Sequence, residues 1–126
     1  MRKEALDWWK QAVEDLETAK VDLKNKKYYA CSFWSQQAAE KALKALYLHT
    51  HKEPALGHSL IYFAKDAKAP REIFDACALL NPEYAVSRYP DAASGVPAEV
   101  HTESTSSTHL RKAVEVIAWV KQKLEL

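Results

Sequence analysis

Residues 31–46 read CSFWSQQAAEKALKAL, and this stretch decides the fold. Its apolar residues recur at steps of three and four, which places them on one face of a helix. Several of them are small, and small side chains allow a neighbouring helix to approach closely. The stretch therefore predicts a helix over residues 28–49 at the centre of a helical bundle, with this inward stripe: Cys31, Trp34, Ala38, Ala42, Ala45 and Leu46.

The same spacing predicts further helices on both sides of the central one. They cover residues 3–24, a short segment 58–67, residues 70–80 after Pro70, and residues 108–124. Between them, residues 83–107 contain two prolines, a glycine and a Ser/Thr cluster, and are predicted to form a long loop. The residues expected to be largely buried are Trp34, Ala38, Ala42, Leu46, Val114 and Ile117.

Composition agrees with an all-α fold. The 126 residues are 48% hydrophobic and 28% charged, which is typical of one globular domain. Only two glycines occur, whereas turn-rich β folds need more of them to reach positive φ. We therefore predict a single domain over residues 1–126, an antiparallel up-and-down bundle of four main helices plus one short helix.

The chain shows no secretory signal, and no apolar run approaches the roughly 20 residues that cross a bilayer. We expect a cytoplasmic protein in which Cys31 and Cys77 are reduced core thiols. His49 and His51 point to different faces of a helix and no carboxylate cluster completes a site, so neither a metal nor a cofactor is predicted. The net charge of +1 means that any nucleic-acid binding would depend on a local patch.

Several motifs together resemble the HEPN family over nearly the whole chain. Trp9, Ala12, Asp15-Leu16 and Ala19 match the opening helix of these domains, and residues 36–46, QQAAEKALKAL, match their central helix. His58-Ser59-Leu60 and Arg88-Tyr89-Pro90-Asp91 follow in the family's order. The resemblance implies a homodimeric helical bundle that works beside a minimal nucleotidyltransferase, often as a toxin–antitoxin pair.

Many HEPN proteins are metal-independent ribonucleases marked by an arginine that is followed, after four to six residues, by a histidine. This sequence lacks that mark, because Ala93, Ser94 and Gly95 stand where the histidine after Arg88 would be. General acid–base cleavage needs a group that titrates near neutral pH close to the ribose. We therefore name no catalytic residue. A flexible loop that returns His101 to Arg88 is the remaining route to activity.

The candidate nucleotide- or RNA-binding residues lie in three places. Arg88 could bind phosphate and Tyr89 could stack on a base, or Arg88 and Asp91 could form a local ion pair while Tyr89 packs on the bundle. Lys41 and Lys44 could meet a phosphate or a partner's acidic surface, although a solvated helix face that includes Glu40 is favoured. His58 is the sixth candidate, with His58 or Ser59 also expected to cap a helix.

Three other pairs of residues are given structural roles. Gln36 and Gln37 are expected to hydrogen-bond across a dimer interface or to loop backbone. His101 and His109 are expected to be exposed. Of the adjacent Trp8 and Trp9, one should lie near an edge of the bundle.

The favoured hypothesis is a nucleotide- or RNA-binding subunit that pairs with a minimal nucleotidyltransferase and has no ribonuclease activity. One alternative is an active ribonuclease toxin that uses Arg88 with a histidine from elsewhere. Another is a structural adaptor without a ligand.

Overall fold

A computed structural model describes all residues, Met1–Leu126, and contains helices and no β-strand. The longer helices are α1 (Lys3–Lys24), α2 (Tyr28–His51), α4 (Arg71–Leu80) and α8 (Glu103–Lys123), with the shorter α3 (Leu60–Asp66) between α2 and α4. Three one-turn helices follow α4: α5 (Glu83–Val86), α6 (Pro90–Ala93) and α7 (Pro97–Val100). The predicted all-α bundle is confirmed. None of its helices is long and apolar enough to cross a membrane.

Helix α2 lies at the centre of the bundle, packed against α1 and α8 along its length and against α3 and α5. Close packing is possible because the contacting faces are rich in alanine, and all of the following are fully buried: Ala5, Ala12, Ala19, Ala38, Ala39, Ala42 and Ala45. Larger side chains then fill the space between α2, α3, α4 and α8: Leu43, Leu60, Phe63, Leu80, Val116 and Val120. The alanine stripe thus sets the spacing of the helices.

The segment predicted as a loop is largely helical, so that prediction was wrong. Pro90 and Pro97 each occupy the first turn of a short helix, where the absent N–H is not needed. The Ser/Thr cluster belongs to α8, which begins at Glu103 instead of residue 108. Thr102 caps α8 by accepting a hydrogen bond from the Thr105 N–H at 3.2 Å. These residue types start helices here instead of interrupting them.

Two burial predictions also need correction. Val114 is 41% exposed, and Trp34 is half-buried at the edge of α2. The prediction for Ile117 is confirmed, and the buried face of α8 runs through these residues: Ser106, His109, Ala113, Val116, Ile117 and Val120. Its N-terminal part is polar, so an apolar pattern alone could not place the helix correctly. Of the adjacent tryptophans, Trp9 is buried and Trp8 half-buried, as expected.

His109 is buried between α8 and α2, which contradicts the expectation that it is exposed. Its Nδ1 lies 2.7 Å from the Ser32 Oγ, and that hydroxyl lies 2.9 Å from the Ser106 Oγ. Ser106 in turn donates to the Tyr28 carbonyl at 2.6 Å. Burial lowers the pKa of His109 below its ordinary value of 6.5, because a charged imidazole loses hydration there.

Both cysteines are free and buried, as predicted. Burial raises the pKa of the Cys31 thiol to about 11 and that of Cys77 to about 12. Both thiols are therefore protonated at neutral pH, and they act as small apolar groups in the core.

The lowered pKa of His109 predicts a loss of stability in acid. Between its folded pKa and the unfolded value of 6.5 the unfolded chain binds more protons, so acidification through this window favours unfolding. We expect the melting temperature of the wild-type protein to fall as the pH drops below about 6.5, and His109→Gln to reduce that fall. An equal slope in His109→Gln would refute this role.

Candidate functional site

Arg88 lies just after α5, and its guanidinium rests on three aromatic rings. The Cζ atom is 4.4 Å from the centroid of Tyr84, 4.7 Å from that of Tyr89 and 5.0 Å from that of Phe33. Its Nε donates a hydrogen bond to the Tyr84 carbonyl at 2.6 Å. These contacts hold the cation in one orientation by cation–π attraction and a backbone hydrogen bond.

The guanidinium has no carboxylate partner in the structure. Asp91 does not pair with Arg88, and its Oδ1 accepts a hydrogen bond from the neighbouring Ala92 N–H at 3.0 Å. The predicted alternative of a local ion pair between Arg88 and Asp91 was therefore wrong. Because only the Nε of Arg88 contacts a protein acceptor, the two terminal nitrogens remain available to an anion.

A cavity of about 500 Å³ lies beside Arg88, between α2 and the segment from α5 to α7. Aromatic side chains of α2, namely Tyr29, Phe33 and Trp34, form one wall. Arg88 and Pro97 contribute from the other side. Phe33 and Trp34 meet edge to face with their centroids 5.0 Å apart. The cavity thus combines flat apolar walls with one cation, which suits a ring that carries a negatively charged group.

His101 does not supply the missing histidine of a ribonuclease motif. It is buried, contrary to expectation, and both of its ring nitrogens are occupied. Nδ1 lies 2.8 Å from the Pro97 carbonyl, and Nε2 lies 2.6 Å from the Glu83 Oε1. The side chain therefore ties α7 to α5. It has no nitrogen free to accept a proton from a ribose hydroxyl.

Glu40 and the two lysines of α2 do not form the solvated face that was favoured. Lys44 is buried, with its Nζ 3.1 Å from the Glu40 Oε2 and 5.3 Å from the ring centroid of Trp8. Lys41 is half-buried, and its Nζ contacts the Asp15 Oδ2 at 2.5 Å. Both ammonium groups are thus committed to carboxylates of the same chain, which weakens the case for either as a phosphate ligand.

The glutamines also bond within α2, where neither predicted alternative placed them. Gln37 donates to the Gln36 Oε1 at 2.7 Å, and Gln36 donates to the Glu40 Oε1 at 3.0 Å. Lys41 donates to the Gln37 Oε1 at 3.2 Å, which joins the two ion pairs into one network. This network satisfies polar groups that would otherwise be costly to bury.

His58 connects this network to the Arg88 region. Its Nδ1 lies 3.0 Å from the Glu40 Oε2, and its ring stacks on Tyr84 with centroids 4.3 Å apart and planes 20° apart. Ser59, not His58, caps α3, because its hydroxyl accepts the Tyr62 N–H at 3.1 Å. The Tyr84 ring therefore contacts both His58 and Arg88. The sequence did not indicate Tyr84, because residues 83–107 were predicted to form a loop and the contact of its ring with His58 depends on the folded chain.

The structure brings together some of the predicted site residues and separates others. Arg88 and His58 both contact the Tyr84 ring, and Tyr89 contacts the Arg88 guanidinium. Lys41 lies near this region only through Trp34, with its Nζ 5.6 Å from that ring's centroid. Lys44 is buried and paired with Glu40. Asp91 is exposed on α6 and makes no ion pair with Arg88.

The sequence profile of the HEPN domain matches residues 5–123 of this chain. The chain belongs to the HEPN family. It is 30% identical to the protein of Methanocaldococcus jannaschii named "Putative toxin MJ1304" over 129 aligned positions, which span 92% of this chain and 85% of that protein.

Crystal structures of two other proteins have the same fold. TT1696 from Thermus thermophilus superposes with a TM-score of 0.90 at 33% identity, over 97% of this chain and 99% of that one. ST0689, described as an archaeal HEPN homologue, superposes with a TM-score of 0.82 at 35% identity, over 98% of each chain.

Proposed function

We propose that this HEPN protein is a nucleotide- or RNA-binding subunit that acts with a minimal nucleotidyltransferase in a toxin–antitoxin pair and has no ribonuclease activity. The observation that carries the binding role is the Arg88 guanidinium, which lies without an anionic partner beside a cavity of about 500 Å³ with aromatic walls. The toxin name of the Methanocaldococcus relative supports the toxin–antitoxin setting.

The two parts of the cavity suit the two parts of a nucleotide. The terminal nitrogens of Arg88 form a planar fork that matches two phosphate oxygens. Tyr29, Phe33 and Trp34 offer ring faces and edges against which a base can pack without sequence-specific hydrogen bonds. The volume is within the range of about 300–1,000 Å³ that is usual for small-molecule sites. A chain with a net charge of +1 needs such a local site.

Substitution of Arg88 tests the binding role. Arg88→Ala should weaken binding of ATP or a short single-stranded RNA by about ten- to a hundredfold, because one partly desolvated, charge-assisted contact is lost. The affinity of Arg88→Lys should lie between those of the wild type and Arg88→Ala, since lysine keeps the positive charge and lacks the planar guanidinium. Titration followed by fluorescence anisotropy, together with a thermal melt of each variant, measures both effects.

Arg111→Ala is the matched control, because Arg111 is an exposed arginine on α8. It should leave affinity unchanged. If Arg88→Ala remains folded and binds both ligands as the wild type does, the proposed site is wrong and the adaptor alternative is favoured.

The absence of ribonuclease activity is tested separately. With both His101 ring nitrogens occupied, we expect no cleavage of structured RNA above the buffer rate in the presence of a chelator. Gel electrophoresis of the RNA after incubation measures this. Cleavage by the wild type that disappears in both Arg88→Ala and His101→Ala would establish the alternative of an active ribonuclease toxin.

We further propose that the protein forms a homodimer, with apolar residues of the first two helices in the interface. Val13 and Val21 of α1 and Tyr29 of α2 are exposed, so they are available for such an interface. A two-fold contact should bury on the order of 1,200 Å² or more. Light scattering at micromolar concentration should give twice the chain mass of 14.3 kDa, and a monomer alone would contradict the proposal.

A further inference from the structure

A second cavity of about 520 Å³ lies far from Arg88, at the C-terminal end of α2. It is lined by Tyr47 of α2, by Tyr62 of α3, and by Glu53, Pro54 and Leu56 of the connecting segment. Tyr47 and Phe33 are 14 positions apart on α2, which corresponds to about 20 Å along a helix. The cavity is therefore separate from the site described above.

Two tyrosine rings form adjacent walls of this cavity. The centroids of Tyr47 and Tyr62 are 6.4 Å apart, with planes inclined by 40°. Tyr47 is supported by His51 at 4.3 Å between centroids, and the His51 Nε2 lies 2.6 Å from the Asp66 Oδ2. Tyr62 packs against the buried Phe63 at 5.5 Å. Both rings are thus held in position by neighbouring groups, and Tyr62 remains 52% exposed.

Glu53 is the one charged residue that lines the cavity, and it has no ion-pair partner within 4 Å. Two cations of the same chain lie near the segment and are directed to carbonyl groups. The Lys52 Nζ contacts the His49 carbonyl at 2.8 Å, and the Arg2 Nη1 donates to the Lys52 carbonyl at 2.9 Å. Asp66, the other carboxylate nearby, contacts the His51 Nε2. The cavity therefore offers one unpaired negative charge beside two aromatic rings, which is the arrangement that attracts a cation.

The rim of the cavity is apolar and open to solvent. Leu56 is 84% exposed, and it lies next to Pro54 and Tyr62. An exposed leucine on a surface that also presents a tyrosine ring and a proline marks a place where a protein segment can pack.

From these features we propose that the cavity binds an arginine side chain of a partner protein. A guanidinium is planar, stacks on tyrosine rings and can pair with both oxygens of the Glu53 carboxylate. The methylene stem of the arginine would lie along Pro54 and Leu56. A lysine ammonium is a strongly hydrated point charge and fits this arrangement less well. Nucleic acid is disfavoured, because Glu53 repels phosphate.

Nuclear magnetic resonance titration with short blocked peptides tests this proposal on the full chain. The peptide acetyl-Gly-Arg-Gly-amide should produce saturable shifts in the amides of Tyr47, Leu56 and Tyr62, with a dissociation constant of about a millimolar. The same peptide with citrulline, which is nearly isosteric and uncharged, should bind at least about fivefold more weakly. A lysine peptide should also bind more weakly than the arginine peptide.

Variants separate this cavity from the Arg88 site. Glu53→Gln keeps the shape of the side chain and removes its charge, and it should lower the affinity for the arginine peptide by about three- to tenfold. Arg88→Ala should leave that peptide's affinity unchanged. The proposal is overturned if the arginine peptide gives no saturable shifts with the wild type. It is also overturned if the citrulline or lysine peptide binds the wild type as tightly as the arginine peptide does, or if the arginine peptide binds Glu53→Gln as tightly as it binds the wild type.

Discussion

Helix α2 carries charged and polar side chains into the middle of the bundle, where neighbouring helices exclude most of the water. Gln36, Glu40 and Lys44 are all buried on this helix. Removing an ionised group from water costs several kcal/mol unless a partner compensates for the lost hydration. The surrounding elements must therefore place partners at defined positions, as Asp15 of α1 and His58 before α3 do. The contacts of Asp15 with Lys41 and of His58 with Glu40 meet that requirement.

The same requirement connects the interior to the surface. The Glu40 carboxylate contacts the His58 ring, which stacks on Tyr84. The Tyr84 ring and the Tyr84 carbonyl both contact the Arg88 guanidinium. A side chain on the central helix thus influences the position of a cation on the surface through direct contacts. The short helices α5 to α7 complete the arrangement, because His101 ties α7 to Glu83 of α5. The candidate site is assembled around α2 from segments that are distant in sequence.

The sequence predicts the fold well where periodicity is strong and poorly where polar residues are buried. The bounds of α1 and the stripe of α2 follow from the spacing of apolar residues, as Ala38 and Ala42 illustrate. The N-terminal part of α8 was missed because its inward face begins with Ser106 and His109, and no hydropathy pattern shows that these will be buried. Their burial depends on a hydroxyl of α2, Ser32, which only tertiary structure brings near.

The candidate site shows the same division. Arg88 and Tyr89 could be named from their tetrapeptide, and His58 from its place in the family's order. Phe33, Tyr84 and the link through Glu40 could not, because each depends on contacts between helices. Lys41 and Lys44 looked like ordinary surface lysines, since the sequence does not show that Asp15 and Glu40 will be buried beside them. Charge pairing in the interior is thus the main information that the sequence leaves out.

The chemistry available at Arg88 supports the proposed binding role. Cleavage of RNA needs a group that can take up and release a proton near neutral pH, and a guanidinium stays protonated in that range. The histidine that lies closest in sequence on the C-terminal side, His101, has both ring nitrogens in hydrogen bonds. What remains is a cation held on aromatic faces, partly removed from water and without a counter-anion. Such a cation attracts an anion more strongly than a fully hydrated one does, because the local dielectric constant is lower and the guanidinium is already oriented. These properties support the proposed role of the chain as a binding subunit.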